Sequence, residues 1–104
     1  MTKPIKNLQL FNDLCAVEEV LIERGWCKGK SSDDNGRVCL MKATSVVVCP
    51  NKGHPDNYYR LVALDETLRS TIGQDPVIFN DDPDTTFDDV LTKLREAREA
   101  LITS

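Results

Sequence analysis

The sequence predicts a mainly α-helical fold, a compact bundle of about four helices with a short extended segment near residues 77–80. Three observations carry this expectation. Leu10, Leu14, Val17 and Leu21 recur at the spacing of one helical face, and Leu61, Leu64, Leu68 and Ile72 do so again. Phe87, Val90 or Leu91, Leu94, Ala97 and Leu101 repeat the pattern near the C-terminus. With 104 residues, 40% hydrophobic and 29% charged, the chain has apolar material for one core and too little for two. Residues 1–104 are therefore read as a single domain.

The first helix is "LQLFNDLCAVEEVLIER", with Arg24 suited to the negative end of its dipole and Gly25 to the left-handed residue that follows. "GWCKGKSSDDNGR" is turn-rich and reads as a loop, anchored by Trp26 and turned at Asn35-Gly36. "VCLMKATSVVVC" is apolar nearly all round, which suits a buried central helix, although its β-branched end also permits a strand over residues 44–49. Asp56 is placed to cap the helix of "NYYRLVALDETLRSTIG", which Gly73 ends. "PVIF" then reads as an extended segment packed on the bundle. Thr86 is the expected N-cap of the last helix, with Asp89 at capping-box spacing. Asp88 and Asp89 fall in its first turn, and Lys93, Arg95 and Arg98 follow, as the helix dipole favours.

Net charge is −4, unevenly spread. Residues 1–69 hold nine acids and ten bases, residues 70–104 eight acids and three bases. An acidic chain without clustered Lys or Arg argues against direct nucleic-acid binding, which needs several cations on one face. The start "MTKPIKNLQL" lacks the apolar run of a secretory signal, and no stretch reaches the ~18–20 apolar residues of a membrane span. A cytoplasmic location, no membrane association, and reduced Cys15, Cys27, Cys39 and Cys49 are expected.

Chemical motifs are weak. Asn80, Asp82, Asp84, Thr86 and Asp88 alternate as calcium ligands would, but Thr85 stands where the loop needs Gly and Leu91 where it needs a bidentate Glu. Cys27, Cys39, Cys49 and His54 supply soft ligands without any C-x-x-C pair. His54 is the one histidine, and no local motif pairs it with Cys27 or Cys49 as a nucleophile. Gly25, Gly29 and Gly36 lack the strand and helix context of a phosphate loop. No cofactor and no metal are expected.

The order "LIERGWCKGKSSDDNGRVCLMKA", a helix, then "FNDDPDTTFDDVLTKLREA" resembles a family of small uncharacterised actinobacterial and phage proteins. Their pattern is a helix ending in Gly-Trp, a polar loop closed by a Gly-Arg-Val-Cys-Leu-like turn, and Trp-Asn-Asp before the last helix. The resemblance covers roughly residues 14–100 and maps onto Gly25, Trp26, Gly36, Cys39, Ala43, Asn80 and Asp81. Lys42 and Phe79 depart from it, standing where the family tends to have a small residue and Trp. The resemblance implies a fold and carries no activity. Should Trp26, Cys39, Asn80 and Asp81 approach one another, Asn80 and Asp81 are expected to serve backbone donors of the "GRVC" turn. Trp26, Gly36, Cys39 and Asn80 are thus structural candidates.

The functional expectation rests on charge. Asp75, Asp81, Asp82, Asp84, Asp88 and Asp89 crowd together with no cation in sequence between Arg69 and Lys93. Asp75, Asp81, Asp82, Asp84 and Asp88 are the expected partner-binding residues of a non-catalytic acidic protein, of phage or mobile-element type, that docks on a basic surface of a host protein as inhibitor or adaptor. The other reading is a small enzyme or metal-binding protein using these aspartates or the Cys/His set. A third is a solvated loop whose aspartates only cap a helix.

Overall fold

The computed structural model describes residues 5–49 and 55–102. These form five helices, α1 (Leu8–Arg24), α2 (Leu40–Val48), α3 (Pro55–Ile72), α4 (Pro76–Asp81) and α5 (Phe87–Glu99). The fold is a small mainly α-helical bundle. Among the described residues there are isolated bridges instead of strands, joining Ile5 to Ile102, Trp26 to Val38 and Ser32 to Val38.

Local chemistry sets the helix ends. The Asn7 side chain accepts from the Leu10 N–H at 3.1 Å and starts α1. Gly25 ends it at φ 90°, where a Cβ would lie 2.9 Å from Cγ of Arg37. Both the conformation and the close approach therefore call for glycine. Residues 44–48 are helical: α2 packs against α1, α3 and α4, and burial of Ala43, Thr44 and Val48 outweighs the β preference of its valines. In α3, Leu64 and Leu68 are fully buried, while Leu61 and Ile72 pack against the core from its margin. The cap expected of Asp56 is corrected: α3 begins at Pro55, so Asp56 falls inside its first turn.

The segment read as extended near residues 77–80 is corrected to a helix. Asp75 accepts from the Val77 N–H at 2.8 Å and Pro76 follows at the first helical position, where its preset φ favours a helix start. Phe79 and Asn80 are buried while Val77 and Ile78 are exposed, a pairing of neighbours that strand alternation would not give. At α5 the capping box forms in full: Thr86 Oγ1 accepts from the Asp89 N–H at 3.1 Å, and Asp89 Oδ2 accepts from the Thr86 N–H at 2.9 Å.

Leu14, Val17 and Leu21 of α1 meet Leu40 and Ala43 of α2, Leu64 and Leu68 of α3, and Val90, Leu94 and Ala97 of α5 in one core. Each buried Leu or Val contributes about 1.5–3 kcal/mol relative to exposure. Two polar ties register the helices. Arg60 of α3 donates Nε to Asp13 Oδ2 at 3.0 Å and Nη2 to Asp13 Oδ1 at 2.7 Å, while Glu18 of α1 accepts from Arg95 and Arg98 of α5.

Candidate functional site

Helix α4 delivers Asn80 beneath the loop between α1 and α2, where it is 1% exposed. Its Oδ1 accepts from Trp26 Nε1 at 2.6 Å and from the Leu40 N–H at 3.0 Å. Its Nδ2 donates to the Cys27 carbonyl at 3.1 Å and to Asp81 Oδ1 at 3.0 Å. An amide has two donors and two acceptor lone pairs, so this side chain is saturated. Asp81 Oδ1 also accepts from the Gly29 N–H at 2.8 Å. That bond, with the one from Asn80, holds the Asp81 carboxyl below its ordinary 3.8.

Lys28 completes the join. Its ammonium donates to the carbonyls of Asp82 at 2.6 Å and Pro83 at 3.3 Å, and lies 5.3 Å from the centre of the Trp26 ring. The indole also stacks on Phe87 of α5, centroids 5.9 Å apart and planes within 9°. Residues 26–29 are thus fastened to residues 80–83 and to the first turn of α5.

Residues 10–100 match DUF6197, a family of unknown function. The chain belongs to that family. The match runs from the first turn of α1 to Ala100, the residue that caps α5, and so spans all five helices and the Asn80 junction. No curated protein and no solved structure matches the chain.

In this DUF6197 chain the aspartates singled out in the sequence fall into two sets. Asp75 caps α4 and pairs with Arg69 at 3.1 Å, and the Val77 N–H with the nearby guanidinium keeps its carboxyl below the usual range. It stands at the far end of α4 from Asp81, about 9 Å of helix away at 1.5 Å per residue. Asp81 is held by Gly29 and Asn80. Asp82 is half-buried, its Oδ1 accepting from the Asp84 N–H at 2.8 Å. Asp89 is engaged in the α5 cap. Asp84 and Asp88 remain, exposed and with no side-chain partner among the described residues.

The structure brings Trp26 and Asn80 into contact, while Cys39 caps α2 next to Leu40 and Gly36 (φ 84°) closes a turn through Gly36 N–H to the Asp33 carbonyl at 3.1 Å. One detail of the reading is corrected. The donors of Gly36–Cys39 are not those that Asn80 and Asp81 serve, because each already has an acceptor in Asp33, Gly25 or Ser31. The two side chains serve Leu40 and Gly29 instead.

All four cysteines are free thiols. Burial first, then the neighbouring Asp33, pushes the Cys27 thiol up, and its Sγ donates to the carbonyls of Lys30 and Arg37, an environment that disfavours a thiolate. His54 lies outside the described residues. Among those described, no three His, Cys, Asp or Glu side chains gather as metal ligands, and no helix is long and apolar enough to cross a membrane. Every buried side-chain polar atom described has a hydrogen-bond partner.

Two polar ties of the structure, one at Asp13 and one at Lys28, carried no clear signal in the sequence. Asp13 sits between Leu10 and Leu14 on the buried face of α1, a register that marks a carboxylate needing a partner, and Arg60 is that partner. Lys28 carries no local signal, since both carbonyls it reaches lie far along the chain.

Proposed function

We propose that this chain is a non-catalytic protein-binding domain, acting in the cytoplasm as an inhibitor or adaptor, whose acidic edge docks on a basic surface of a partner protein. One observation carries the reading: Asp84 and Asp88 stand exposed and unpartnered on a backbone that the neighbouring residues hold in place. A carboxylate pair on a fixed frame loses little freedom on association, and its field favours a cationic surface. Lys28 reaches in from the α1–α2 loop and offsets charge near Asp81 and Asp82, which narrows the edge to Asp84 and Asp88. The saturation of Asn80, and the presence of a hydrogen-bond partner for every other buried side-chain polar atom described, support a scaffolding role for them over a catalytic one.

The test is affinity capture from a host lysate with identification of the retained protein, followed by titration of that protein against wild type and Asp84→Asn/Asp88→Asn. The proposal expects a partner with a basic surface, binding that weakens as salt is raised, and a loss of about tenfold or more in the double variant. Equal affinity and equal salt dependence for both proteins would remove the acidic edge from the interface.

A further inference from the structure

Beside the Asn80 junction, residues 29–31, the start of α2 and helix α4 enclose a groove of about 390 Å³. Asn80 offers a ligand no free polar position, and Asp81, whose Oδ1 accepts from Gly29 and Asn80, adds one exposed negative charge to the lining. The rim differs. Lys30 and Lys42 are exposed and form no ion pair among the described residues, and the hydroxyls of Ser31 and Ser45 are likewise without a partner there. Val77 forms an apolar wall at 49% exposure, with Ile78 beside it at 62%.

Lys42 stands in the first turn of α2, which contains no acid. A cation there opposes the helix dipole, so the position lowers helix stability where Glu would raise it. Lys42 therefore does not favour the fold where it stands, and it lines the same groove as a second unpaired lysine, Lys30, in a chain of net charge −4.

We propose that this groove docks an acidic segment of a protein partner, with an apolar side chain against Val77 and flanking carboxylates on Lys30 and Lys42. Charge complementarity selects this occupant: two ammoniums against the single carboxylate of Asp81, with two hydroxyl donors, favour carboxylates held toward Lys30 and Lys42, and the apolar wall favours a Leu, Ile or Phe between them. The groove lies apart from Asp84 and Asp88, carries the opposite charge, and does not depend on their role.

The experiment is selection of displayed random peptides on the whole chain, then titration of an enriched peptide into isotope-labelled protein. Enriched sequences should carry Asp or Glu around one large apolar residue and shift the amides of Ser31, Lys42, Ser45 and Val77. Lys30→Glu/Lys42→Glu should weaken binding about tenfold or more. Lys42→Glu alone should leave Tm unchanged or raised, which separates lost recognition from lost folding. Asp84→Asn/Asp88→Asn should bind the peptide as wild type does, so failure of the acidic edge and failure of the groove give different results. Enrichment of basic peptides, no enrichment, or unchanged affinity in the lysine variant would overturn the proposal. So would a concentration-dependent dimer abolished by the lysine changes, which would make a second copy the occupant.

Discussion

Asn80 joins three parts of the chain because all four hydrogen-bonding positions of its amide are engaged, to Trp26, Cys27, Leu40 and Asp81. Asn80→Ala leaves the Leu40 N–H, the Trp26 Nε1–H and the Cys27 carbonyl without partners. Each orphaned buried group costs about 1–3 kcal/mol and the losses do not add fully, so the variant should lose on the order of 3 kcal/mol in urea unfolding. A loss no larger than that of an ordinary surface change, about 0.5 kcal/mol, would show that the amide is dispensable. Asp81 adds a pH dependence. Its folded carboxyl titrates below the ordinary 3.8, so its contribution is complete at neutral pH and fades as pH falls through the folded value. The stability gap between wild type and Asp81→Asn should therefore narrow below about pH 4. A gap that is constant from neutral pH to acid would contradict the Gly29 and Asn80 bonds to the charged form. A polar residue's identity was readable in the sequence, but its partners were not: Asn80 and Leu40 are 40 residues apart, Asn80 and Trp26 54 apart, and no local spacing encodes that distance.

Helix α5 is the element whose start is best defined by side chains. Thr86→Ala removes the acceptor for the Asp89 N–H and should lower stability by about 1 kcal/mol, with Thr86→Ser close to wild type. Equal stability of the Ala and wild-type proteins in urea would mean that Phe87 stacking on Trp26 and the core contacts of Val90 and Leu94 set the helix start unaided. The long helices were legible because seventeen or eighteen residues give the apolar period several turns in which to repeat. Helix α4 has six residues, and Val77 and Ile78 are β-branched, so periodicity is silent and propensity points to an extended form. Its signal was the Asp75-Pro76 pair, an N-cap followed by a residue preset for the first turn. The end of α2 posed the same difficulty with three valines, and there tertiary burial decided in favour of helix.

At the scale of the whole molecule, the acidic third of the chain divides between structure and surface. Asp75, Asp81, Asp82 and Asp89 cap helices or hold loops, and Lys28 and Arg69 come in to meet two of these places from other segments. Charge asymmetry was visible in the sequence; which carboxylates it leaves over was not, because that depends on backbone N–H groups brought close by folding. Asp84 and Asp88 are the remainder, and the lysine groove lies on another part of the same junction. The central structural claim is that these two carboxylates are not part of the folding scaffold, which the proposed association requires. Urea unfolding of Asp84→Asn/Asp88→Asn, run alongside Asn80→Ala, tests it most directly. The double variant should stay within about 1 kcal/mol of wild type, the span left by a first-turn dipole contribution from Asp88 and relief of repulsion from its neighbours. A loss matching that of Asn80→Ala would show that both aspartates are part of the scaffold, and would contradict the claim.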